Sequence, residues 1–412
     1  MRRVAFNSAI LLGVNLTGAG LGFVLSVVTA RALGVDDFGR YTLALAWSFA
    51  LGLFGEFGLN TLLTRDLAQR RADVSAYLTA ATLIKTMLSL ALIAALEWAA
   101  PVVSRDPPTI GAIRLAAPLI WLNALYGSFT AIFRAFERML PILLLNTGGL
   151  IVQLGLTVIV VATGGHLIEL VGLAVAVQLA QIIAAYAIYR ARFRSVPARG
   201  FDLRLVKQLG RVALPFAIAG VLGAIQLRAN VLLLGSLRGE SAVGIFSAAA
   251  RWAEAAKVLP YAFFGAIFPR LSFLAREPAG QLELTFRRSE QWLLVFALVA
   301  ALALTLAAHP LLVSTYGAAF APAVPTLQIL GWLIVPALWN GLTVLYLYAL
   351  GGEGFVNWVS AASLALQILA AFPLIALWGA AGAALSSLVG ECAMVIPFWL
   401  RRRSQALRRR YA

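Results

Sequence analysis

The sequence predicts an all-α integral membrane protein of about twelve transmembrane helices in two parallel six-helix lobes, with both termini in the cytoplasm. Three observations predict this fold class: the composition, the number of long apolar segments and the distribution of basic residues between them. Of the 412 residues, 61% are apolar and 12% are charged. A soluble domain is about 45–50% apolar and about 25% charged, so this composition excludes an ordinary water-soluble fold.

A membrane-spanning helix needs about 20 mainly apolar residues. Twelve segments of the sequence meet this requirement: 8–30, 41–64, 76–100, 112–134, 140–163, 167–190, 210–235, 242–268, 290–313, 326–350, 355–377 and 379–400. The gaps are too short to hold a soluble domain. The predicted organisation is therefore an N-terminal lobe (1–190), a basic cytoplasmic linker (191–209), a C-terminal lobe (210–400) and a basic cytoplasmic tail (401–412).

The basic residues are distributed unequally between the two predicted faces. Of 33 Lys and Arg residues, 24 fall on the face that holds the N-terminus, five on the opposite face and four inside predicted helices. Because basic loops stay in the cytoplasm, this bias predicts cytoplasmic termini and a multi-pass protein of the cell (inner or plasma) membrane. It also explains most of the net charge of +16. We therefore expect membrane lipids, and no nucleic acid, as partners of the basic loops.

The two lobes are predicted to be repeats of one another. A shift of 205 residues aligns several pairs without a gap: Gly34 with Gly239, Gly39 with Gly244, Trp47 with Trp252, and Arg65 with Arg270. Six helices per repeat is an even number, so both lobes start on the same face. Parallel repeats of this kind favour a substrate path between the lobes.

Seven charged residues lie deep in predicted helices, where charges are costly and mark either a transport path or a paired structural site. They are Glu56, Lys85, Arg228, Arg251, Glu254, Lys257 and Glu391. The three charges of predicted helix 8 recur every third residue, which places them within one 120° sector. They form either a polar, net positive cavity wall or a ladder of charges that neutralise one another.

The remaining candidates are assigned by their position. Arg228, Lys85 and the polar Asn15 of helix 1 are candidates for lining a cavity and contacting substrate. Glu56 and Glu391 could each bind a coupling proton or sodium ion, or pair with an intramembrane cation. No cofactor or metal site is expected, because the single cysteine and two histidines form no ligand cluster.

No enzyme motif is present. The sequence lacks a P-loop, a GxSxG turn and an HExxH helix, so no catalytic residues are expected. Asp36 and Asp37 form a pair of adjacent carboxylates, as in a membrane glycosyltransferase. The start of the second helix, where Asp is a favoured cap, explains them better.

Three segments resemble one known family. They are Arg31-Ala-Leu-Gly-Val-Asp-Asp-Phe-Gly-Arg-Tyr41, Gly58-Leu-Asn-Thr-Leu-Leu-Thr-Arg-Asp-Leu-Ala68 and Phe133-Arg-Ala-Phe-Glu-Arg138. These segments are similar to the polysaccharide-transporter family of lipid-linked oligosaccharide (O-antigen-type) flippases. That family belongs to the multidrug/oligosaccharidyl-lipid/polysaccharide (MOP) exporter superfamily, which includes the MATE drug exporters.

The resemblance implies a MOP/MATE-like fold and a flippase. Such a protein would translocate an undecaprenyl-pyrophosphate-linked oligosaccharide across the inner membrane by alternating access through a cationic cavity. Arg228 and Arg251 match the family's cavity cations best. Many relatives have an acid in helix 7 where this chain reads Arg228-Ala-Asn230, so the sequence gives no support for ion coupling at that position.

The sequence thus predicts a division of roles among the deep residues. Substrate-binding candidates are Arg251, Lys257, Arg228, Asn15 and Lys85, and candidates for ion coupling (H⁺ or Na⁺) or charge pairing are Glu56, Glu254 and Glu391. The expected partners are the lipid-linked glycan, membrane lipids, and a glycan polymerase or other polysaccharide-assembly proteins.

Two alternative functions remain. A MATE-like exporter of drugs or organic cations would need a net acidic, aromatic cavity, whereas the seven deep charges comprise four basic and three acidic residues. A membrane glycosyltransferase or ligase would carry its catalytic residues on a sizeable outer loop, and the predicted outer loops are short.

Overall fold

The computed structural model describes residues 2–70, 74–192, 203–277 and 280–411, and every secondary-structure element in these ranges is a helix. The helices are α1 (Arg2–Glu56), α2 (Leu59–Arg70), α3 (Val74–Val103), α4 (Pro107–Ala116), α5 (Pro118–Ala135), α6 (Met139–Ala162), α7 (Leu167–Arg192), α8 (Leu203–Arg238), α9 (Glu240–Leu274), α10 (Gln281–Leu306), α11 (Ala308–Tyr316), a short 3-10 helix (Ala318–Ala323), α12 (Val324–Ala349) and α13 (Glu353–Tyr411). The predicted all-α class is confirmed.

Eight helical segments of the described chain are long and apolar enough to cross a membrane. The protein is therefore a multi-pass membrane protein. Two of these segments, Leu16–Glu56 and Glu353–Leu407, contain 41 and 55 residues. At about 1.5 Å per residue, each is far longer than one crossing of a hydrocarbon core about 30 Å thick. Each is also interrupted by a non-helical glycine, Gly34 (φ 74°) or Gly379 (φ 55°), where the sequence predicts the boundary between two spans.

The predicted span 242–268 is not among the eight apolar segments, for a physical reason that is visible in α9. This helix is 35 residues long, which is enough for a crossing. Its middle carries Arg251, Glu254 and Lys257, so it is not among the eight segments that qualify by length and composition. Intramembrane charges of this kind hide a span from a hydropathy criterion.

The predicted repeat has a counterpart in the backbone. Gly34 and Gly239, which are aligned by the 205-residue shift, have φ angles of 74° and 79°. This left-handed region is costly for other residues, so glycine recurs at the two positions for a conformational reason. Asp36 and Ser241, which are also 205 residues apart, are joined by a hydrogen bond from the serine hydroxyl to the carboxylate.

The chain forms two compact units, residues 1–241 and 242–412. In the first unit α5 is the central helix: it packs against α1, α2, α3 and α7, and most of its side chains are buried. Helix α8 packs against α1, α2 and α3 in the same unit. The predicted lobes 1–190 and 210–400 stay a prediction, and residues 193–202 of the predicted linker lie outside the described residues.

In the second unit α12 is the central helix and packs against α10 and α13. Helix α13 continues to Tyr411, so the predicted basic tail 401–412 extends the last helix. Arg402 on this extension lies 3.4 Å from Glu290 of α10, and its guanidinium stands 4.5 Å from the ring centre of Phe286. The ion pair and the ring contact tie the end of α13 to α10.

At one end of the first unit, polar side chains connect the turn at Gly34, the α3–α4 loop and the α8–α9 junction. Arg40 donates to Asp106 at 2.8 Å and to Asp37 at 2.6 Å. Asp106 also caps α4 by accepting from the Thr109 backbone N–H at 3.1 Å. Ser104 donates to Glu240 at 2.7 Å. The Arg40 guanidinium holds the pKa of Asp106 below its ordinary value.

Replacing Asp106 tests this network. Asp106→Ala removes both the helix cap and the ion pair, and we expect a loss of about 1–2 kcal/mol of unfolding free energy. Asp106→Ser keeps a capping side chain and loses only the ion pair, so its loss should be smaller. Thermal unfolding in detergent measures both variants against the wild type.

The same ion pair should affect how the stability of the protein depends on pH. Because the folded-state pKa of Asp106 is depressed, its contribution to stability is present above the ordinary carboxyl value of about 4 and is lost as pH falls through the lowered pKa. The wild type should thus lose its greater stability relative to Asp106→Ser on acidification. An advantage that stays constant down to acidic pH would contradict the role of the ion pair.

Candidate functional site

The deep charges predicted from the sequence fall into separate clusters, one in each compact unit. The cluster of the first unit, named the α1–α3 cluster, consists of Glu56, Asn60, Lys85 and Ser128. The cluster of the second unit, named the α9–α13 cluster, consists of Arg251, Glu254, Lys257, Asn340 and Glu391. Arg228 lies in the first unit and belongs to neither cluster.

A break in the predicted second span positions the α1–α3 cluster. Helix α1 ends at Glu56, and α2 begins at Leu59. The two residues between them, Phe57 (φ 49°) and Gly58 (φ 66°), both adopt left-handed backbone conformations. Such a conformation is rare for an aromatic residue and persists only where its surroundings hold it, here the apolar cluster around Leu59 and Leu62. The break places an acid at the end of one helix and Asn60 in the first turn of the next.

Lys85 of α3 is fully buried, with 0% of its surface exposed. Its ammonium group donates to Asn60 Oδ1 at 2.6 Å, to the Ala124 carbonyl at 2.8 Å and to Ser128 Oγ at 2.7 Å. An ammonium group has three N–H donors, so these three oxygens use all of them. The predicted contact of Lys85 with substrate would therefore require this arrangement to open.

Glu56 is half-buried and interacts with both the Asn60 side chain and the Lys85 ammonium group. Asn60 therefore stands between the acid and the base and contacts each of them. The sequence left open whether Glu56 binds an ion or pairs with an intramembrane cation. The charge of Lys85 interacts with that of Glu56, and the two alternatives for Glu56 stay predictions.

In the α9–α13 cluster, Glu391 and Asn340 form the best-defined contact. The Asn340 side-chain amide donates to Glu391 Oε2 at 2.7 Å and to the Glu391 carbonyl at 2.8 Å. Asn340 is 3% exposed, and its Oδ1 has no hydrogen-bond partner among the described residues. Lys257 interacts electrostatically with both Glu391 and Glu254. Glu391 is thus held by an amide from α12, and its charge interacts with that of a lysine from α9.

The three charges of α9 include one ion pair of the ladder that was one of the two arrangements considered. Arg251 Nη1 lies 3.1 Å from Glu254 Oε2, and Glu254 in turn interacts with Lys257. The side chains of Arg251 and Glu254 are 44% and 57% exposed in their unit. The ladder therefore has paired charges and also presents an exposed face, which combines features of the two arrangements that the sequence left open.

Arg228 of α8 lies apart from the α1–α3 cluster. Its guanidinium carbon stands 4.7 Å from the ring centre of Phe49 on α1, in the geometry of a cation–π contact. The side chain of the remaining candidate, Asn15, lies outside the described residues.

Sequence analysis missed the amide and hydroxyl residues that connect the charges: Asn60, Ser128 and Asn340. Each is a single small polar residue in an apolar helix, and such residues occur in many helices without a role. The one local indication was a pair of helix-weakening residues shortly before Asn60, namely Gly55 and Gly58.

A double-mutant cycle tests the α9–α13 cluster. Lys257→Met removes the positive charge near Glu391, while Glu391→Gln removes the negative charge and keeps an oxygen for Asn340. The double variant should be more stable than the sum of the single effects predicts, with a coupling energy of about 1 kcal/mol or more. Denaturant unfolding in detergent provides the measurement. Single effects that add to within about 0.5 kcal/mol would show that the two charges do not interact.

Comparison with solved structures places this arrangement in a known fold. An inward-facing multidrug resistance MATE family transporter of the MOP superfamily is 16% identical and has a TM-score of 0.77, with 98% of this chain and 100% of that chain covered. The lipid II flippase MurJ in an inward closed conformation is 14% identical and has a TM-score of 0.79, with 96% and 87% covered. At these identities the likeness establishes the fold alone, and it is the MOP-superfamily fold.

A third solved structure, a MOP superfamily transporter from Pyrococcus furiosus described as having a binding pocket of reversed polarity, is 15% identical. Its TM-score is 0.64, with 98% of this chain and 96% of that chain covered. Curated proteins give no match. A family model described as polysaccharide biosynthesis protein matches residues 4–274. That range is more than half of the chain and includes all three segments that carry the sequence resemblance, so the chain belongs to the polysaccharide biosynthesis protein family.

Proposed function

We propose that the protein is a flippase that translocates an undecaprenyl-pyrophosphate-linked oligosaccharide across the cell membrane by alternating access. The observation that carries this proposal is the exposed arginine of α9, Arg251, which lies with Glu254 and Lys257 in the middle of a helix long enough to cross a membrane. Membership of the polysaccharide biosynthesis family supports a glycan substrate. The MOP-superfamily fold supports transport.

The chemistry of the substrate fits an arginine at this position. The pyrophosphate group carries negative charge on oxygens that a planar guanidinium can bind with two parallel hydrogen bonds. Arg251 is 44% exposed, and its ion pair with Glu254 is made through Nη1. Glu254 would hold the guanidinium in place, and the other N–H groups of Arg251 would bind the substrate. In a site with little water this attraction is stronger than in bulk solvent.

The other deep residues are assigned within their own units. In the second unit Lys257 would add positive charge for the substrate. In the first unit Arg228 and Asn15 remain proposed substrate contacts. Glu391, which accepts a hydrogen bond from Asn340 and interacts electrostatically with Lys257, is the better-placed acid for coupling to a proton or sodium ion. Glu56 would serve as the charge partner of Lys85. The lipid tail of the substrate would stay in the bilayer during transport.

The proposal includes a membrane topology. We infer twelve crossings, with α1 and α13 each contributing two and α9 one, and cytoplasmic termini in the inner or plasma membrane. The excess of Lys and Arg on one predicted face supports this orientation. Polysaccharide-assembly proteins, such as a glycan polymerase, would act on the translocated product.

A second function is favoured by a specific feature of the second unit. Glu254 is 57% exposed, and Tyr261, two turns further along α9, is 56% exposed. An exposed acid and an aromatic ring on one helix are typical of sites for organic cations. Export of an organic cation, as in a MATE transporter, is therefore the alternative.

Arg251 variants test the flippase. In a bacterial strain that lacks its own flippase, Arg251→Ala should reduce glycan export at least about tenfold at unchanged protein level, because one charge-assisted contact is worth about 1.5–3 kcal/mol. Arg251→Lys should retain part of the activity. Arg270→Ala, an exposed arginine near the end of the same helix, is the matched control and should export normally. Normal export by Arg251→Ala would remove Arg251 from the mechanism.

Direct binding separates the two candidate functions. The purified protein should bind an undecaprenyl-pyrophosphate lipid more tightly than a cationic dye. Arg251→Ala should weaken the binding of the lipid and leave the binding of the dye unchanged. Tighter binding of the dye, weakened by Glu254→Gln, would support an organic-cation exporter instead.

A further inference from the structure

We propose that the oxygens around Lys85 form a monovalent-cation site that the chain fills with its own ammonium group. This site belongs to the first unit alone, and it does not depend on whether the protein transports glycans. Three observations carry the inference: the geometry of the oxygens, their burial, and the break in the helix beside them.

The geometry is that of a cation cage. Three oxygens from two helices converge on one nitrogen at distances between 2.6 and 2.8 Å: the Asn60 amide oxygen of α2, and the Ala124 carbonyl and Ser128 hydroxyl of α5. Carbonyl, amide and hydroxyl oxygens are also the ligands that replace the hydration shell of a monovalent metal ion. The arrangement is therefore suited to a compact positive charge.

The cage is dry. Lys85 is 0% exposed, Ser128 is 1% exposed and Ala124 is 0% exposed. Burying an ammonium group costs several kcal/mol, and this cost is recovered only where the partners are well placed. An apolar side chain of similar length would fill the same space without this cost. A buried lysine is thus poorly explained by packing, and a requirement for positive charge at this point explains it better.

The helix break explains why positive charge is required. The last turn of a helix has carbonyl groups without a full set of intrahelical partners, and the C-terminal end of a helix carries partial negative charge. Glu56 is the last residue of α1 and adds a carboxylate that interacts with Lys85. The left-handed Phe57 and Gly58 hold the break open. A cation is therefore stabilised here whether or not it is attached to the chain.

A further polar group lies close to the break. Ser89, one turn after Lys85 on α3, is 0% exposed, and its hydroxyl has no hydrogen-bond partner among the described residues. This hydroxyl would lie 2.9 Å from a Cβ atom built on Gly55, so it faces the backbone of α1 directly before Glu56. An unsatisfied hydroxyl at this place is available to a mobile ion or to a water that accompanies it.

Removing the ammonium group should open the cage to a free cation. Lys85→Ala leaves the oxygens and Glu56 in place and provides the space for the ion. Its thermal unfolding midpoint in detergent should rise by about 5 °C when potassium or ammonium chloride replaces choline chloride at equal ionic strength, because ligands stabilise the state that binds them. Choline is too large for the cage and controls for ionic strength.

The matched control is Lys85→Met, which fills the same space with an apolar chain of similar length. Neither Lys85→Met nor the wild type should show a midpoint difference between potassium and choline. Adding Asn60→Ala to Lys85→Ala should reduce the shift, because one ligand is lost. An equal shift in all variants, or none in Lys85→Ala, would overturn the proposal.

If Lys85→Ala fails to fold in choline chloride, the proposal can still be tested. The readout is then the yield of monodisperse protein extracted in each salt. Recovery of Lys85→Ala in potassium or ammonium, but not in choline, would support the site. Failure in every salt, while Lys85→Met folds, would overturn it. Neither result depends on glycan transport, so this test and the test of the flippase can fail separately.

Discussion

The structure depends on one constraint: a charge inside a membrane-spanning helix has no water to solvate it and must find its partners in the protein. The α1–α3 cluster meets this constraint completely, since all three N–H groups of Lys85 are bound by protein oxygens. The α9–α13 cluster meets it in part. Glu391 is held by Asn340 and lies near Lys257, whereas Arg251 and Glu254 pair with one another and remain exposed. A paired charge that is also exposed is the kind that a transported anion can reach.

Breaks in helices provide the second element of this arrangement. Gly34 and Gly379 interrupt helices that are long enough for two crossings, and the left-handed pair Phe57–Gly58 interrupts a single predicted span. The first two lie where the sequence predicts the boundary between successive spans. The third creates a helix end at Glu56, whose charge interacts with that of Lys85. The position of the charges and the position of the break are thus two parts of one site.

The sequence predicted the helical class and the family, because both follow from features repeated along the whole chain. It also placed Arg251 and Glu254 on one face of their helix, since residues three apart are neighbours on a helix surface, and it left open whether they pair. The interaction between the charges of Glu56 and Lys85 was not predictable, because the two residues lie on different helices and only the packing of α1 and α2 against α3 and α5 brings them near one another. Asn340 was missed for the same reason. Its importance comes from the position of α13, not from its own sequence neighbours.

The division of functions between the clusters follows from their exposure. In our proposals, the buried lysine stabilises a broken helix and the exposed arginine binds the substrate. The proposed function therefore requires that the purified protein moves a pyrophosphate-linked glycan across a bilayer. The most direct measurement reconstitutes it in sealed vesicles with fluorescent undecaprenyl-pyrophosphate oligosaccharide in both leaflets and adds an impermeant enzyme that cleaves the glycan. With wild-type protein, cleavage should proceed to near completion, while protein-free vesicles should stop at the fraction in the outer leaflet. If cleavage stops at the same fraction in vesicles with folded, inserted protein and in protein-free vesicles, the result would contradict the proposed flippase activity.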